Sequence, residues 1–276
     1  MTTTAPEHFK QVASAFDRKA LVYDAFGEDH PHLTRMRHKV YDHLVAVQPK
    51  NAHLLELNAG TGFDACQLVA RGFTVHATDL SAEMHAQTNI KITQLQLADR
   101  LTAQQASFTD LSAVKGQFDG VYSNFGGLNC ISDLRAVTRQ LPRLLKPNGI
   151  ATFVIMPRFC PWELALLPKD WRVATRRLRR GGITSNVEGV TFTTTYFSVR
   201  QTRAAFGKQF EQVKLEGLSI FTPTADNKSF APRHPRIYRR LCQLDDAICW
   251  HWPFNHWGDF FILSMQYKGR RMKDEG

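Results

Sequence analysis

Two glycines and a carboxylate near the start of the chain have the types and spacing of a nucleotide-binding site. Gly60 and Gly62 follow a short apolar run at residues 54–57 and precede a segment with apolar residues at helical spacing. Glycine permits positive φ and lets the backbone approach a ligand, and the N–H groups of the next helix form an electropositive cradle. Asp79 comes about twenty residues after this turn, where nucleotide folds place the acid that accepts the ribose hydroxyls. The pattern predicts binding of a nucleotide cofactor.

Spacing alone does not choose that cofactor. Gly60, Gly62 and Ala65 satisfy the dinucleotide fingerprint GxGxxG/A, so the spacing is also compatible with NAD as the cofactor. Asp79 could instead cap the helix that opens near Ser81, although Ser81 could supply that cap equally well. We favour the ribose role for Asp79 because the glycine turn and the acid are two independent features at the expected separation.

The residues around the turn resemble a known family. Sequence 56–62, Glu-Leu-Asn-Ala-Gly-Thr-Gly, is similar to motif I of the class I S-adenosylmethionine (SAM) dependent methyltransferases, in which an acidic and an apolar residue precede GxGxG. Glu56, Gly60 and Gly62 match this form, and Asn58 replaces the first glycine. Asn tolerates unusual backbone angles, so we expect the loop to keep its shape. The resemblance implies SAM as the cofactor.

The resemblance also implies which residues bind SAM. Many small-molecule methyltransferases carry an N-terminal lid with Phe-Asp, Tyr-Asp and Arg, which here fall at 16–17, 23–24 and 37. Tyr23 and Arg37 would close over the methionine end, where Arg can pair with a carboxylate, or they could merely anchor the lid. Phe108 could cover the adenine, or it could belong to the core. The implied set is Tyr23, Arg37, Glu56, Asn58, Ala59, Gly60, Gly62, Asp79, Leu80, Ser107, Phe108 and Asn124.

Strand and helix patterns alternate from residue 54 to residue 156, as a parallel sheet requires. Sequences 118–121 (FDGV) and 144–149 (LLKPNG) resemble recurrent features of the family. The implied fold is a Rossmann-like, doubly wound α/β sheet of seven strands whose last strand is antiparallel and lies between the fifth and sixth. We expect an N-terminal helical lid at 1–50 and a methyltransferase domain at 51–276, with helical insertions at about 158–190 and 222–257 after strands five and six.

The carboxyl end of the fourth predicted strand is where the methyl donor should face its acceptor. Enzymes that methylate exocyclic amines of nucleic acids usually have (D/N/S)PP(Y/F) at this point. Ser123-Asn124-Phe125-Gly126 lacks the proline pair. This difference argues against that activity.

The positive charge of the chain lies in its later half. The net charge is +10, and residues 158–240 contain sixteen Lys plus Arg against six Asp plus Glu, a surplus of ten. The first insertion begins with aromatic residues and continues with arginines, so we interpret it as a lid that lines the acceptor pocket. Its cationic residues could bind an anionic partner or simply face solvent. The arginines of this cluster are Arg172, Arg176, Arg177, Arg179 and Arg180.

Few residues outside the glycine turn suggest a catalytic or metal-binding role. His234, His251 and His256 lie in the variable segments and are the candidate general bases, although each is more often a structural residue. The His-rich sequence at 251–257 could be imagined as a metal clip, but a third ligand is missing and its aromatics favour packing. Five cysteines are scattered without a CxxC pair, so we expect neither a metal site nor a disulfide framework.

Three functions remain open at this point. The first is a SAM-dependent methyltransferase acting on an O, N or C atom of a small molecule, anionic or aromatic, mainly by positioning and desolvation. The second is an RNA or protein methyltransferase that uses the basic later half. The third is a SAM-binding module without catalysis. The N-terminus lacks a signal-peptide pattern and no apolar run is long enough to cross a bilayer, so we expect a cytoplasmic protein.

Overall fold

A central sheet with helices on both faces forms the fold of the computed structural model, which describes residues 5–27, 29–179 and 181–269. Within these ranges, seven strands form one sheet and two form a separate hairpin. The strands are β1 (His53–Leu57), β2 (Thr74–Asp79), β3 (Leu101–Gln105), β4 (Phe118–Ser123), β5 (Leu145–Ile155), β6 (Ile183–Val187), β7 (Val190–Thr194), β8 (Phe210–Leu218) and β9 (Phe260–Tyr267).

The large sheet has the order β3-β2-β1-β4-β5-β9-β8. The first five strands pair in parallel, and β9 is antiparallel to both β5 and β8. The predicted seven-stranded sheet with an antiparallel last strand is therefore confirmed. Strand order reverses between β1 and β4, and an open α/β sheet binds its ligand at the carboxyl ends of the strands beside such a reversal.

Helices cover both faces of this sheet. Neighbouring residues of β1 point to opposite faces, so that Leu54 joins one core and Leu55 the other. No helix in the described ranges has both the length and the hydropathy needed to cross a membrane. The α-helices are α1 (Ala5–Lys19), α2 (Tyr23–Gly27), α3 (Pro31–Val47), α4 (Phe63–Ala70), α5 (Ala82–Gln94), α6 (Arg135–Thr138), α7 (Leu141–Leu144), α8 (Pro161–Leu164), α9 (Trp171–Thr175), α10 (Val199–Phe206), α11 (Phe230–Arg233) and α12 (Pro235–Ile248).

The apolar segment before β5 does not form the single helix that its periodicity predicts. It divides into α6 and α7, and Pro142 lies in the first turn of α7. Proline has no N–H to donate to the carbonyl four residues earlier, so the first helix cannot continue through it. The apolar face survives the break because Val137, Leu141 and Leu144 all remain in the core.

The segment after β5, which we expected to be a helical insertion at about 158–190, begins with the short helices α8 and α9 and then forms a β-hairpin, of which only the Thr-rich second strand has a strand-like sequence. Strands β6 and β7 are joined by Glu188 and Gly189, both with positive φ, as a two-residue hairpin turn requires. Phe192 from β7 packs with Val12 and Ala15 of α1. The hairpin thus supports the N-terminal helix, which no local pattern could indicate.

A buried ion-pair cluster joins this insertion to the sheet. The guanidinium of Arg177 donates to Glu163 at 2.7 Å and to Asp259 at 2.6 Å, and all three side chains are buried. Burial would raise the pKa of Glu163, but hydrogen bonds from Arg176 and Arg177 bring it below its usual value. Glu163 and Asp259 also lie near Cys160 in a grouping that could hold a metal ion. Arg177 already supplies the positive charge that this carboxylate pair needs.

We predict that Arg177→Met lowers the free energy of unfolding by about 3–5 kcal/mol, because it leaves two buried carboxylates without their cation. Urea denaturation of the two proteins measures the difference. Arg179→Met is the matched control, since Arg179 is exposed two positions away and should change stability by no more than about 0.5 kcal/mol. Equal stability of Arg177→Met and the parent chain would contradict the prediction.

Candidate functional site

The turn between β1 and α4 has the backbone conformation that its sequence predicts. Asn58, Gly60 and Gly62 all have positive φ, and Gly62 is the N-cap of α4. A Cβ at Gly62 would lie 2.7 Å from the Thr88 side chain, whose hydroxyl donates to the Gly60 carbonyl at 3.1 Å. Glycine is therefore required at position 62 both by conformation and by the approach of α5.

Asp79 fixes this turn from the end of β2. Its carboxylate accepts hydrogen bonds from the Gly60 N–H at 2.8 Å and from the Ser81 N–H at 2.9 Å. The cap of α5 is instead the Ser81 hydroxyl, which accepts from the Met84 N–H at 3.1 Å. Burial raises the pKa of Asp79, and backbone N–H groups oppose that rise. Asp79 thus braces the turn and still lines the cavity described below.

Asn58 does more than replace a glycine. Its Nδ2 donates to the Asn124 carbonyl at 3.1 Å, and its Oδ1 accepts from the Ser123 hydroxyl at 2.5 Å. The side chain fills the space opposite Gly127, where a Cβ would come within 2.3 Å of it. Asn58 therefore joins the carboxyl ends of β1 and β4, and the loop keeps its shape despite the departure from the family pattern.

A cavity lies above this turn, between the carboxyl ends of the strands and the N-terminal helices. Asp79, Leu80 and Phe108 lie on its wall, as do Arg37 and Asp64. The lid side is mainly apolar and aromatic. The lid residues on the wall are Phe9, Val12, Ala13, Phe16 and Tyr23.

Asp64 is the centre of a polar group that the sequence analysis missed. It accepts from the Tyr41 hydroxyl and from Asn124 Nδ2 at 3.0 Å, and it lies 3.6 Å from Arg37 Nε. The last distance is too long for a hydrogen bond, and Arg37 Nε is buried without a hydrogen-bond partner. The Arg37 guanidinium also lies over the Phe63 ring, 4.2 Å from its centroid. The cavity therefore has a guanidinium with unused donor capacity.

Two carboxylates fasten the lid. Asp17 accepts from the Ser81 hydroxyl at 2.5 Å, next to the start of α5. Asp24 accepts from the Thr61 hydroxyl at 2.6 Å and pairs with Lys91 at 2.6 Å. Tyr23 lies between these two aspartates in the sequence, and burial raises its pKa to about 12. The Tyr23 hydroxyl is therefore neutral at physiological pH and available as a hydrogen-bond donor.

The structure brings together most, not all, of the predicted cofactor residues. Glu56, Gly62 and Ser107 do not line the cavity. Glu56 is buried behind the wall, where burial raises its pKa and its Oε2 lacks a hydrogen-bond partner. Ser107 bonds the Thr109 hydroxyl at 2.8 Å instead. The residues that do line it are Tyr23, Arg37, Asn58, Ala59, Gly60, Asp79, Leu80, Phe108 and Asn124.

The three candidate bases lie elsewhere. His234 and His251 are exposed, and His256 bonds the side chain of its neighbour Asn255 at 2.6 Å. None of the three is among the cavity-lining residues. The lining residues that the sequence did not predict are largely apolar and come from several elements, so no short sequence pattern marks them. Asp64 is the exception, because it is an acidic residue in the first turn of the helix that follows the glycines.

The arginine-rich insertion also lies away from the cavity. Arg176 and Arg177 both bind Glu163, and the insertion aromatics pair with the later segment, Phe159 with Trp257 and Trp162 with Phe230. Arg180 lies outside the described residues. Among those that are described, the insertion contributes nothing to the cavity wall, so the structure does not support the prediction that it lines the acceptor pocket.

The central part of the chain is similar to known methyltransferases. Residues 54–149 match the family model described as a methyltransferase domain. YqeM, a proposed methyltransferase of Bacillus subtilis (strain 168), is 29% identical over 146 residues, which cover 50% of this chain and 57% of that protein. The chain spans just over half the length of the curated relatives it matches.

Solved structures agree in fold over most of the chain. The CcbJ methyltransferase of Streptomyces caelestis has a TM-score of 0.61 at 15% identity, with 92% of this chain and 97% of that chain covered. The Burkholderia thailandensis 1,6-didemethyltoxoflavin-N1-methyltransferase, solved with its namesake compound and S-adenosylhomocysteine, has a TM-score of 0.57 at 14% identity, with 97% and 92% covered. Residues 54–149 thus match a methyltransferase domain, and the chain as a whole shares the fold of these solved methyltransferases.

Proposed function

We propose that the protein binds SAM in the cavity above the glycine turn and methylates a small molecule there. The observation that carries this proposal is the pairing of two opposite charges on one cavity wall. Asp79 offers carboxylate oxygens suited to ribose hydroxyls, and Arg37 offers a guanidinium on the wall that forms a 3.6 Å ion pair with Asp64 and no hydrogen bond within the described residues, suited to an amino-acid carboxylate. SAM has both groups, separated by the sulfonium that carries the methyl.

The residues between these two charges fit the rest of the cofactor. Phe108 and Leu80 form an apolar wall on which an adenine could stack. The faces of Phe16, Tyr23 and Phe63 suit a sulfonium, because aromatic rings attract cations. Bound SAM supplies an activated methyl group, so the protein needs mainly to orient the acceptor and exclude water.

Apart from Asp64 and Asp79, whose carboxylates already accept the hydrogen bonds described above, the ionisable groups of the wall favour an acceptor that loses its proton without a base. Burial raises the pKa of Cys130 and of Tyr23 to about 12, so neither accepts a proton near neutral pH. No histidine occurs among the described lining residues. An unprotonated amine, a phenolate or a stabilised carbanion therefore fits better than an alcohol. The toxoflavin methyltransferase neighbour supports a small aromatic acceptor as one form of this proposal.

We predict that Arg37→Met weakens binding of S-adenosylhomocysteine about tenfold to hundredfold, because a hydrogen bond to a charged group contributes roughly 1.5–3 kcal/mol. Methylthioadenosine lacks the amino-acid end, so its affinity should not change. Isothermal titration calorimetry with both ligands gives the comparison. A parallel loss for both ligands would show that Arg37 acts on the lid rather than on the carboxylate.

Asp79→Ala should weaken S-adenosylhomocysteine and methylthioadenosine equally, by about tenfold to hundredfold each, since both ligands carry the ribose. The matched control is Asp133→Ala, at an exposed carboxylate that does not line the cavity. The same calorimetry measures both variants. Wild-type affinity in Asp79→Ala would remove the ribose contact from the proposal.

The acceptor class can be found by incubating the protein with methyl-tritiated SAM and an extract of its host. We expect the label in a small organic compound that passes a size filter, and we expect Asp79→Ala to abolish it. Label that stays with RNA or protein after filtration would favour the alternative acceptors. Absence of label despite SAM binding would favour a module that binds the cofactor without transferring its methyl group.

A further inference from the structure

Helix α12 is attached to the body of the protein in an unusual way. Asp245 is the only buried residue described in this helix. Its carboxylate accepts backbone N–H bonds from Ile220 at 3.1 Å, Phe221 at 2.8 Å and Thr222 at 3.2 Å. Polar contacts therefore attach the helix to the body, and none of its apolar residues is fully buried.

Those apolar residues form a continuous stripe. Ile237, Leu241, Leu244 and Ile248 follow each other at intervals of four, three and four residues, which places them on one face of a helix. Ile237 is 54% exposed and Leu244 is 44% exposed. Trp252, just after the helix, is 78% exposed. Leu241 and Ile248 are half-buried, so Ile237 and Leu244 form the exposed part of the stripe and, together with Trp252, mark an interaction surface.

Cations flank the stripe. Four arginines, one at the end of α11 and three in the first half of α12, are exposed, and no carboxylate lies within ion-pair distance of them in the described residues. The acidic residues of α12 are used elsewhere: Asp245 holds the backbone, and Asp246 pairs with Arg35 at 2.7 Å and Lys39 at 2.5 Å. The four arginines are Arg233, Arg236, Arg239 and Arg240.

We propose that α12 and the turn that follows it bind the surface of an anionic lipid bilayer. The apolar stripe enters the boundary between headgroups and acyl chains, the arginines contact lipid phosphates, and Trp252 lies at the interface. Nucleic acid would use the arginines but would leave the stripe exposed to water. The combination of stripe, arginines and tryptophan therefore favours lipid.

The binding surface lies one helix away from the cavity. The hydroxyl of Tyr238 in α12 is 3.0 Å from His32 Nδ1 of α3, and Asp246 binds Arg35 of the same helix. Helix α3 also carries Arg37 of the cavity wall. Membrane binding would thus bring the cavity close to the bilayer. The inference itself depends only on α12 and is independent of the methyl acceptor.

Co-sedimentation with vesicles tests the proposal. We expect the protein to bind vesicles of phosphatidylcholine mixed with phosphatidylglycerol and to bind vesicles of phosphatidylcholine alone much more weakly. Leu244→Glu and the double variant Arg236→Glu/Arg240→Glu should each reduce binding to the anionic vesicles by about tenfold or more. Added salt should weaken the binding of the parent chain, since it screens the arginines.

Matched controls separate this surface from general effects of charge. Ile90→Glu alters a residue of α5 that is 45% exposed, and Lys50→Glu/Lys208→Glu changes the net charge as much as the arginine pair does. Both controls should bind the vesicles like the parent chain, and all variants should keep their affinity for S-adenosylhomocysteine. The proposal is overturned if the parent chain shows no preference for anionic vesicles. It is also overturned if the α12 variants bind normally, if the controls lose as much, or if the surface binds RNA and not lipid.

Discussion

The backbone turn after β1 can hold its shape because one carboxylate binds it from the neighbouring strand. Asp79 accepts N–H groups from both Gly60 and Ser81, and so connects the ends of β1 and β2 and the start of α5. Positive φ at Gly60 then costs little, since glycine adopts it freely. Every other contact of the site depends on this turn, because Asn58 beside it positions the end of β4 and Gly62 begins α4.

The second condition for the site is a cavity that is partly screened from solvent, and the N-terminal helices form one side of it. Helix α1 is supported by the β6-β7 hairpin, and the Asp17 and Asp24 contacts hold the lid against α5. Inside the cavity, charges interact more strongly than in water because the local dielectric constant is lower. Asp64 is satisfied there by the Tyr41 hydroxyl and the Asn124 amide, and Arg37 Nε is the member of this polar group that lacks a hydrogen bond, which is costly in such surroundings.

Local patterns predicted the part of the fold that depends on neighbouring residues. The glycine turn, the acid that follows it and the alternation of strands and helices were visible, because backbone conformation and strand burial leave marks in a short window. Asp64, Arg177 and the hairpin were not predicted. Their partners lie far away in sequence: Arg177 binds Asp259, and Phe192 packs on Val12. The arginine cluster led to a wrong expectation of an acceptor-pocket lining for the same reason. A count of charges cannot reveal that the buried carboxylate of Glu163 binds Arg176 and Arg177.

The fastening of the lid has a consequence for the opening of the cavity. Asp17 and Asp24 bind two hydroxyls, a backbone N–H and an ammonium group through contacts that are at most partly buried, so each contributes a modest net free energy. Apolar contacts hold the lid as well, because Val12 and Ala15 of α1 pack with Phe192. Opening of the cavity must therefore also separate α1 from the β6-β7 hairpin, so the packing of this hairpin, and not the carboxylates alone, sets how readily the cavity opens.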